Sequence, residues 1–419
     1  MSDAPANSPR STIFRRFLLG VLLLAGVLGG YVWYDMHCAL NRGRQLLLQG
    51  ESPAAVPEFR RYLTIHPGSD STRLLLAQAL LSSTTSTDNS GLSAALQQLA
   101  LIPDDSPLAS EARMRAARVE LLNQLRPGRA EVLLRDAIRL DPSSHDAHYL
   151  LWKLLDMTER PEWSEPYFWK AYEQTPGQLR SLRLREWYLS QFSPVTSTTE
   201  FDIAMGLLAP DEVPSKTTVL RRLQTFRLSE QDSALATAAV ACWFRQNGSP
   251  QEALTLLQEF RHYEAALTNR FFIATVILAQ LDLGEFEQAH VLFDRWPEPR
   301  SGYDYSKLHG IIQDEINDDA AAAVEACNKV TEEWPGMIDW PVMLRKASCL
   351  MRLGLKDESN ELRRQAKRIE LLMETNIHVD LRKALADLNN PLTANKLADF
   401  YRLLNREREA MAWMALVDH

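Results

Sequence analysis

Residues 130–155 read AEVLLRDAIRLDPSSHDAHYLLWKLL. Ala130, Leu134 and Ala137 share one face of a helix, because residues three and four apart are neighbours on a helical surface. Pro142 closes that helix, since proline has no N–H to continue the ladder. A second apolar run begins at His145. The proline then recurs: Pro176 follows Pro142 by 34 residues, and Pro210 follows Pro176 by 34 more. A fixed period of that length, with a helix pair in each copy, marks a helical repeat array.

This pattern resembles the tetratricopeptide repeat (TPR) family. Ala130 and Ala137 take the small positions of helix B, Leu134 the large one and Pro142 the terminator. In the next copy Phe168, Ala171 and Pro176 match, with Ser164 in place of the first alanine. Small residues let two helices approach to about 8–10 Å. The resemblance extends in architecture over residues 37–419. It implies an all-α fold, a right-handed superhelical solenoid of helix-turn-helix units. Ala55 and Phe59, Ala253 and Leu257, Ala289 and Phe293, Ala347 and Leu350, and Ala398 and Tyr401 carry the phase, for about eight or nine copies.

The phase is lost at residues 209–218, APDEVPSKTT, where two prolines bracket an acidic pair. Residues 36–210 therefore read as an N-terminal array, 211–230 as an irregular connection containing one helix from Val219 to Leu228, and 231–419 as a C-terminal array. A solenoid grows along one axis, so 419 residues need not mean several globular domains.

Residues 1–12 are polar and read as disordered. Residues 13–35 read as a membrane anchor: Phe17 to Tyr34 holds 18 residues without a charge, about 27 Å as a helix. Arg15 and Arg16 precede it, and Tyr31, Trp33 and Tyr34 end it at the interface. A cleaved signal peptide is the alternative reading. The basic residues favour a cytoplasmic amino terminus and an extracytoplasmic body. Gly26 and Gly30 form a GxxxG pair that could join two spanning helices into a homodimer.

The charge of −8 (46 basic, 54 acidic residues) gives no basic footprint for nucleic acid. No phosphate loop, nucleophile elbow or HExxH occurs, so the chain reads as neither an enzyme nor a cofactor or metal protein. His145 and His148 read as packed residues, Asp314, Glu315, Asp318 and Asp319 as a solvated turn, and Cys242, Cys327 and Cys349 as small buried hydrophobes.

What the resemblance implies for function is partner binding on a concave face. The family's groove positions fall on Arg115, Val119, Leu122, Tyr149, Lys153, Arg180, Arg183 and Trp187, a mixture suited to an acidic or C-terminal peptide. The lysine and asparagine positions of the chaperone-binding carboxylate clamp are not matched. The chain also resembles anchored bacterial TPR adaptors of envelope biogenesis. Its last helix, from Arg406 to about Val417, carries Met411, Trp413, Met414, Leu416 and Val417, too many large apolar residues for one inward stripe. Part of the set is expected to stay exposed, and either Arg406, Arg408 and Glu409 solvate the outer face so that the helix caps itself, or this end contacts a partner or a second copy.

Overall fold

The computed structural model describes residues 29–31, 33–83, 90–332 and 334–416. Gly26 and most of the 13–35 span lie outside them. Among the described residues no helix is long and apolar enough to cross a membrane, and all regular structure is helical. The chain divides into two compact units, residues 1–116 and 117–419.

Unit 1 begins with a helix over residues 33–48 (α1), followed by α2 (Ser52–Ile65), α3 (Asp70–Ser83) and α4 (Ser90–Ala100). The pairing of α1 with α2 depends on Gly43: a Cβ there would lie 2.7 Å from the Phe59 ring. Ala39, Ala55 and Phe59 are fully buried at the crossing. The division between the units falls inside α5 (Ala109–Leu122).

Unit 2 continues with α6 (Pro127–Leu140), α7 (His145–Met157), α8 (Glu165–Glu173) and α9 (Arg180–Phe192). The short helices α10 (Pro194–Ser197) and α11 (Thr199–Ala204) lead to α12 (Lys216–Ser229). Hairpins follow in α13 (Ala234–Gln246) and α14 (Pro250–Gln258), then, after α15 (Tyr263–Ala266), in α16 (Arg270–Asp282) and α17 (Phe286–Asp294). The chain goes on through α18 (Tyr303–Glu315), α19 (Ala320–Thr331), α20 (Trp340–Arg352) and α21 (Lys356–Leu372). It ends with α22 (Thr375–Ala384), α23 (Pro391–Leu403) and α24 (Glu407–Met414). Prolines open α6, α14 and α23, where a missing N–H costs nothing. Ser233, Asn269, Asp319 and Asp339 cap helix starts by accepting backbone N–H bonds. Gly284 and Gly354 take the left-handed turn between paired helices, at φ 77° and 82°.

The small residues sit where the period requires. Ala130, Leu134, Ala137, Ala253, Ala289, Ala347, Ala398 and Ala410 are 0% exposed. Neighbouring helices pack in chain order in unit 2, α13 to α14 to α16 to α17 and α18 to α19 to α20 to α21 among them.

Two features depart from the sequence reading. First, residues 211–230 are less irregular than expected: the helix expected over Val219 to Leu228 is present and longer, as α12 (Lys216–Ser229). Pro210 and Pro214 do interrupt the helices, but α12 returns against α7. Arg222, 1% exposed, pairs with Asp202, 0% exposed, at 2.8 Å, and its Nε donates to the Met157 carbonyl. Second, the carboxyl end of unit 2 is covered. α24 packs on α9, and Trp413 is 1% exposed in a core shared with Trp152, Phe168, Trp187, Tyr188 and Tyr401. Of the apolar set on the last helix, Met411 is the residue left exposed, while Met414 and Leu416 pack at the edge of that core. Val417 lies outside the described residues. The helix finds its neighbour in α9 of the same unit.

Candidate functional site

Unit 2 closes through contacts between residues far apart in sequence. The Trp187 indole donates to Glu409 at 3.2 Å. The Tyr188 hydroxyl meets His378 Nδ1 at 2.8 Å. Arg382 donates to Ser193, Arg406 pairs with Glu165 at 3.0 Å, and Arg408 pairs with Glu173 at 3.1 Å. On another side, the Trp163 indole donates to Asp304 Oδ2 at 2.8 Å, and Glu230 accepts from the backbone N–H groups of Gly128 and Arg129 at 2.7 and 3.0 Å. The Glu230 carboxylate thereby caps α6 from about a hundred residues downstream, satisfying donors that α6 leaves free.

Within unit 2, a cavity of about 1320 Å³ opens among the start of α6, the 160–163 turn, and the amino ends of α13, α16 and α18. Its wall mixes aromatic rings (Trp163, Tyr167, Trp296, Trp334) with charged side chains. Arg160, 2% exposed, organises one side. It pairs with Glu131 at 2.7 Å, donates to Thr158, and lies over the rings of Trp163 and Phe271. Arg135 shares the same Glu131 carboxylate and donates to the Tyr167 hydroxyl. Both arginines hold Glu131 below the usual carboxylate range, against its burial.

The acids and bases of this wall are not equally engaged. Glu131 is taken by arginines and Glu230 by backbone N–H groups. Glu162 is pushed up to about 8 by burial and by the nearby Asp304 carboxylate, and burial raises Asp304 as well. Two carboxyls so placed cannot both ionise at low cost, so the pair keeps a proton near neutral pH. Arg270, at the start of α16, is half-buried and has no carboxylate partner among the described residues. Burial lowers His309, with the Lys329 charge adding to the effect. The cavity thus presents cations and aromatic faces; Glu131, Glu230 and Asp304 are engaged, and the exposed Glu332 lies at its rim.

The groove residues named from the repeat pattern are scattered. Arg115 belongs to unit 1, half-buried and paired with Glu111. Val119 is 3% exposed and Trp187 0%, so both are core residues and neither offers a surface. Trp187 stacks on Phe168 at 4.4 Å with its plane turned by 4°. Leu122 is half-buried, and Arg180 is exposed beside the Tyr172 ring. Lys153 is 1% exposed and donates to the Ser197 carbonyl at 2.8 Å, held near Asp156. Tyr149, with Arg183 over its ring at 3.9 Å, and Lys153 share a second, smaller cleft of about 430 Å³ beside Arg382 and Phe201. The family register places helix A residues on a concave face. Here the C-terminal helices press against α9, and that face becomes interior.

The sequence pattern did not reveal Arg160, Glu162, Asp304 or Arg270. They lie in turns and at helix starts, where no periodicity marks a side chain. The readings of His148 and of the three cysteines hold, while His145 is only partly buried, beside Asp146. His148 is buried and bonds the Pro142 carbonyl at 2.9 Å. Cys242, Cys327 and Cys349 are buried free thiols. Asp314, at the end of α18, and Asp318, in the turn after it, are tied to Arg345 and Arg352, which makes this an ion-pair network rather than an isolated solvated turn. Among the described residues, no group of three His, Cys, Asp or Glu side chains is arranged to hold a metal ion.

No family model matches the chain, and no curated protein matches it. Among solved structures it is similar to Cut9–Hcn1 of the APC/C, with a TM-score of 0.38 and 11% identity over 92% of this chain and 76% of that one. It is similar to the P58(IPK) TPR domain, with a TM-score of 0.25 and 16% identity over 81% and 99% of the two chains. Human IFIT1 bound to m7Gppp-AAAA gives a TM-score of 0.30 and 13% identity over 90% and 79%. These scores do not establish a common overall shape. On their own helix order and packing, the described residues are all-helical and built of TPR-like helix hairpins.

Proposed function

We propose that this chain is a non-catalytic scaffold and that the cavity of unit 2 receives an extended, acidic segment of a partner protein. The observation that carries the reading is the charge state of the cavity wall: Arg270 faces it with no carboxylate of its own, while Glu131 and Glu230 are already engaged. An incoming carboxylate gains a charge-assisted bond there without first displacing an internal one. The aromatic rings around it supply area for the rest of the segment. We infer further that residues 13–35 hold the protein to a membrane as a single span with the body extracytoplasmic, and that it serves envelope assembly. The uncharged stretch from Phe17 to Tyr34, flanked by Arg15 and Arg16, supports that part.

The test is direct capture of partners by the full chain and by Arg270→Glu. Partners held by the cavity are lost on charge reversal while the helical circular dichroism is retained, and their binding weakens as salt rises. An unchanged set of partners in the variant would refute the cavity as the docking place.

A further inference from the structure

Unit 1 carries a side-chain arrangement that peptide binding does not use. His37 projects from α1, and His66 ends α2. Their ring nitrogens, His37 Nδ1 and His66 Nε2, lie 3.2 Å apart, with ring centroids 4.8 Å apart and planes at 72°. We propose that His37 and His66 form a two-histidine chelate for a divalent transition-metal ion of the imidazole-binding class, with Zn²⁺ and Cu²⁺ as the fitting ions.

The spacing is the first reason. Metal–nitrogen bonds of about 2.0–2.1 Å at a tetrahedral centre set two imidazole nitrogens about 3.3 Å apart. A straight N–H···N bond, the geometry hydrogen bonds prefer, would put the centroids about 5.5 Å apart. The two rings are within N–H···N bonding distance without an ion, and their 4.8 Å centroid separation is nearer the roughly 5.2 Å of two imidazoles on one tetrahedral ion. The second reason is support. Trp33 lies against His37 at 4.5 Å, and Tyr62 lies against His66 at 4.5 Å, so both rings are held between neighbours. Such buttressing orients metal-binding histidines. The third is access. His37 is exposed, which leaves the remaining coordination positions to water. Asp35, the nearest carboxylate in sequence, is already paired with Arg42 and Arg61 and leaves the imidazoles as the free ligands. An ion here would fasten α1 to the end of α2, joining the residues that follow the 13–35 segment to the first hairpin.

The experiment titrates the untagged full chain with Cu²⁺ and reads both electron paramagnetic resonance and tryptophan fluorescence, with Zn²⁺ as competitor. One equivalent should bind with two nitrogen ligands, quench the Trp33 contribution, and be displaced by Zn²⁺. His37→Ala and His66→Ala should each abolish this signal, with unchanged circular dichroism, whereas His262→Ala should leave it intact. Zn²⁺ should also raise the thermal stability of the parent chain and not of the two variants, because a ligand that binds the folded form stabilises it. Equal binding by the parent and either variant, or the absence of saturable binding, would overturn the proposal.

Discussion

Trp187→Ala separates a core role from a binding role for the most conspicuous of the family-derived groove residues. In the structure Trp187 is 0% exposed, stacked on Phe168, edge-on to Trp152 at 6.0 Å, and hydrogen-bonded to Glu409. A tryptophan buries about 200 Å². At about 25 cal/mol per Å² that area gives about 5 kcal/mol, an upper bound because the denatured chain is partly compact. Truncation of buried tryptophans in general costs about 3–5 kcal/mol. The expected loss is therefore about 4 kcal/mol. Urea unfolding followed by tryptophan fluorescence reads it, since every tryptophan except Trp33 lies in residues 117–419. With a slope of about 3 kcal/mol per M, the midpoint falls by more than about 1 M. Trp187→Phe keeps a stacked ring and loses the bond to Glu409, so it should fall between, at about 1–2 kcal/mol. A change below about 1 kcal/mol for Trp187→Ala, a size usual for surface substitutions, would show that the residue is at the surface and would refute the packing of α24 on α9.

Asp202→Ala should cost about 3–5 kcal/mol in the same assay, because it strands Arg222 in the interior without its partner. Ala289→Leu should cost about 1–3 kcal/mol by overpacking the α16–α17 crossing, where Ala289 is 0% exposed. Glu162 should make stability depend on pH. Its folded form keeps a proton to about pH 8, whereas the unfolded carboxyl loses it in the ordinary carboxylate range. The native state then binds more protons between those limits, so stability falls as pH rises through that window. Urea midpoints measured at both ends should show this fall, and Glu162→Gln should flatten it.

The repeat was legible because its physics is local. Alanine at 130, 137, 253 and 289 is demanded by close helix crossings, and glycine at 284 and 354 by the left-handed turn. Both leave a mark at fixed spacing. The closure of unit 2 left no such mark. Trp187 and Glu409 are 222 residues apart, Tyr188 and His378 are 190 apart, and no period links them. Trp413 could be read as surplus apolar area, but what covers it was not encoded nearby. The cavity was hidden for the same reason. Asp304 gains its meaning from Trp163, 141 residues away, and Arg160 from a carboxylate on α6. The residues carried over from the family failed as a groove where the stack folds back, because their side of α9 became interior.

Unit 2 folds back so that α24 and the turn before it meet α8 and α9. A spin-label distance between positions 173 and 408 tests it most directly. Both side chains are about half exposed, and they form an ion pair at 3.1 Å, so labels there disturb little. With Cys38 replaced by serine, the other cysteines are buried and remain unlabelled. Glu173→Cys with Arg408→Cys should give one narrow, short distance. An open stack, advancing about 8–10 Å for each packed helix between α8 and α24, would place the labels many tens of Å apart, and a broad or long distribution of that kind would contradict the closed form.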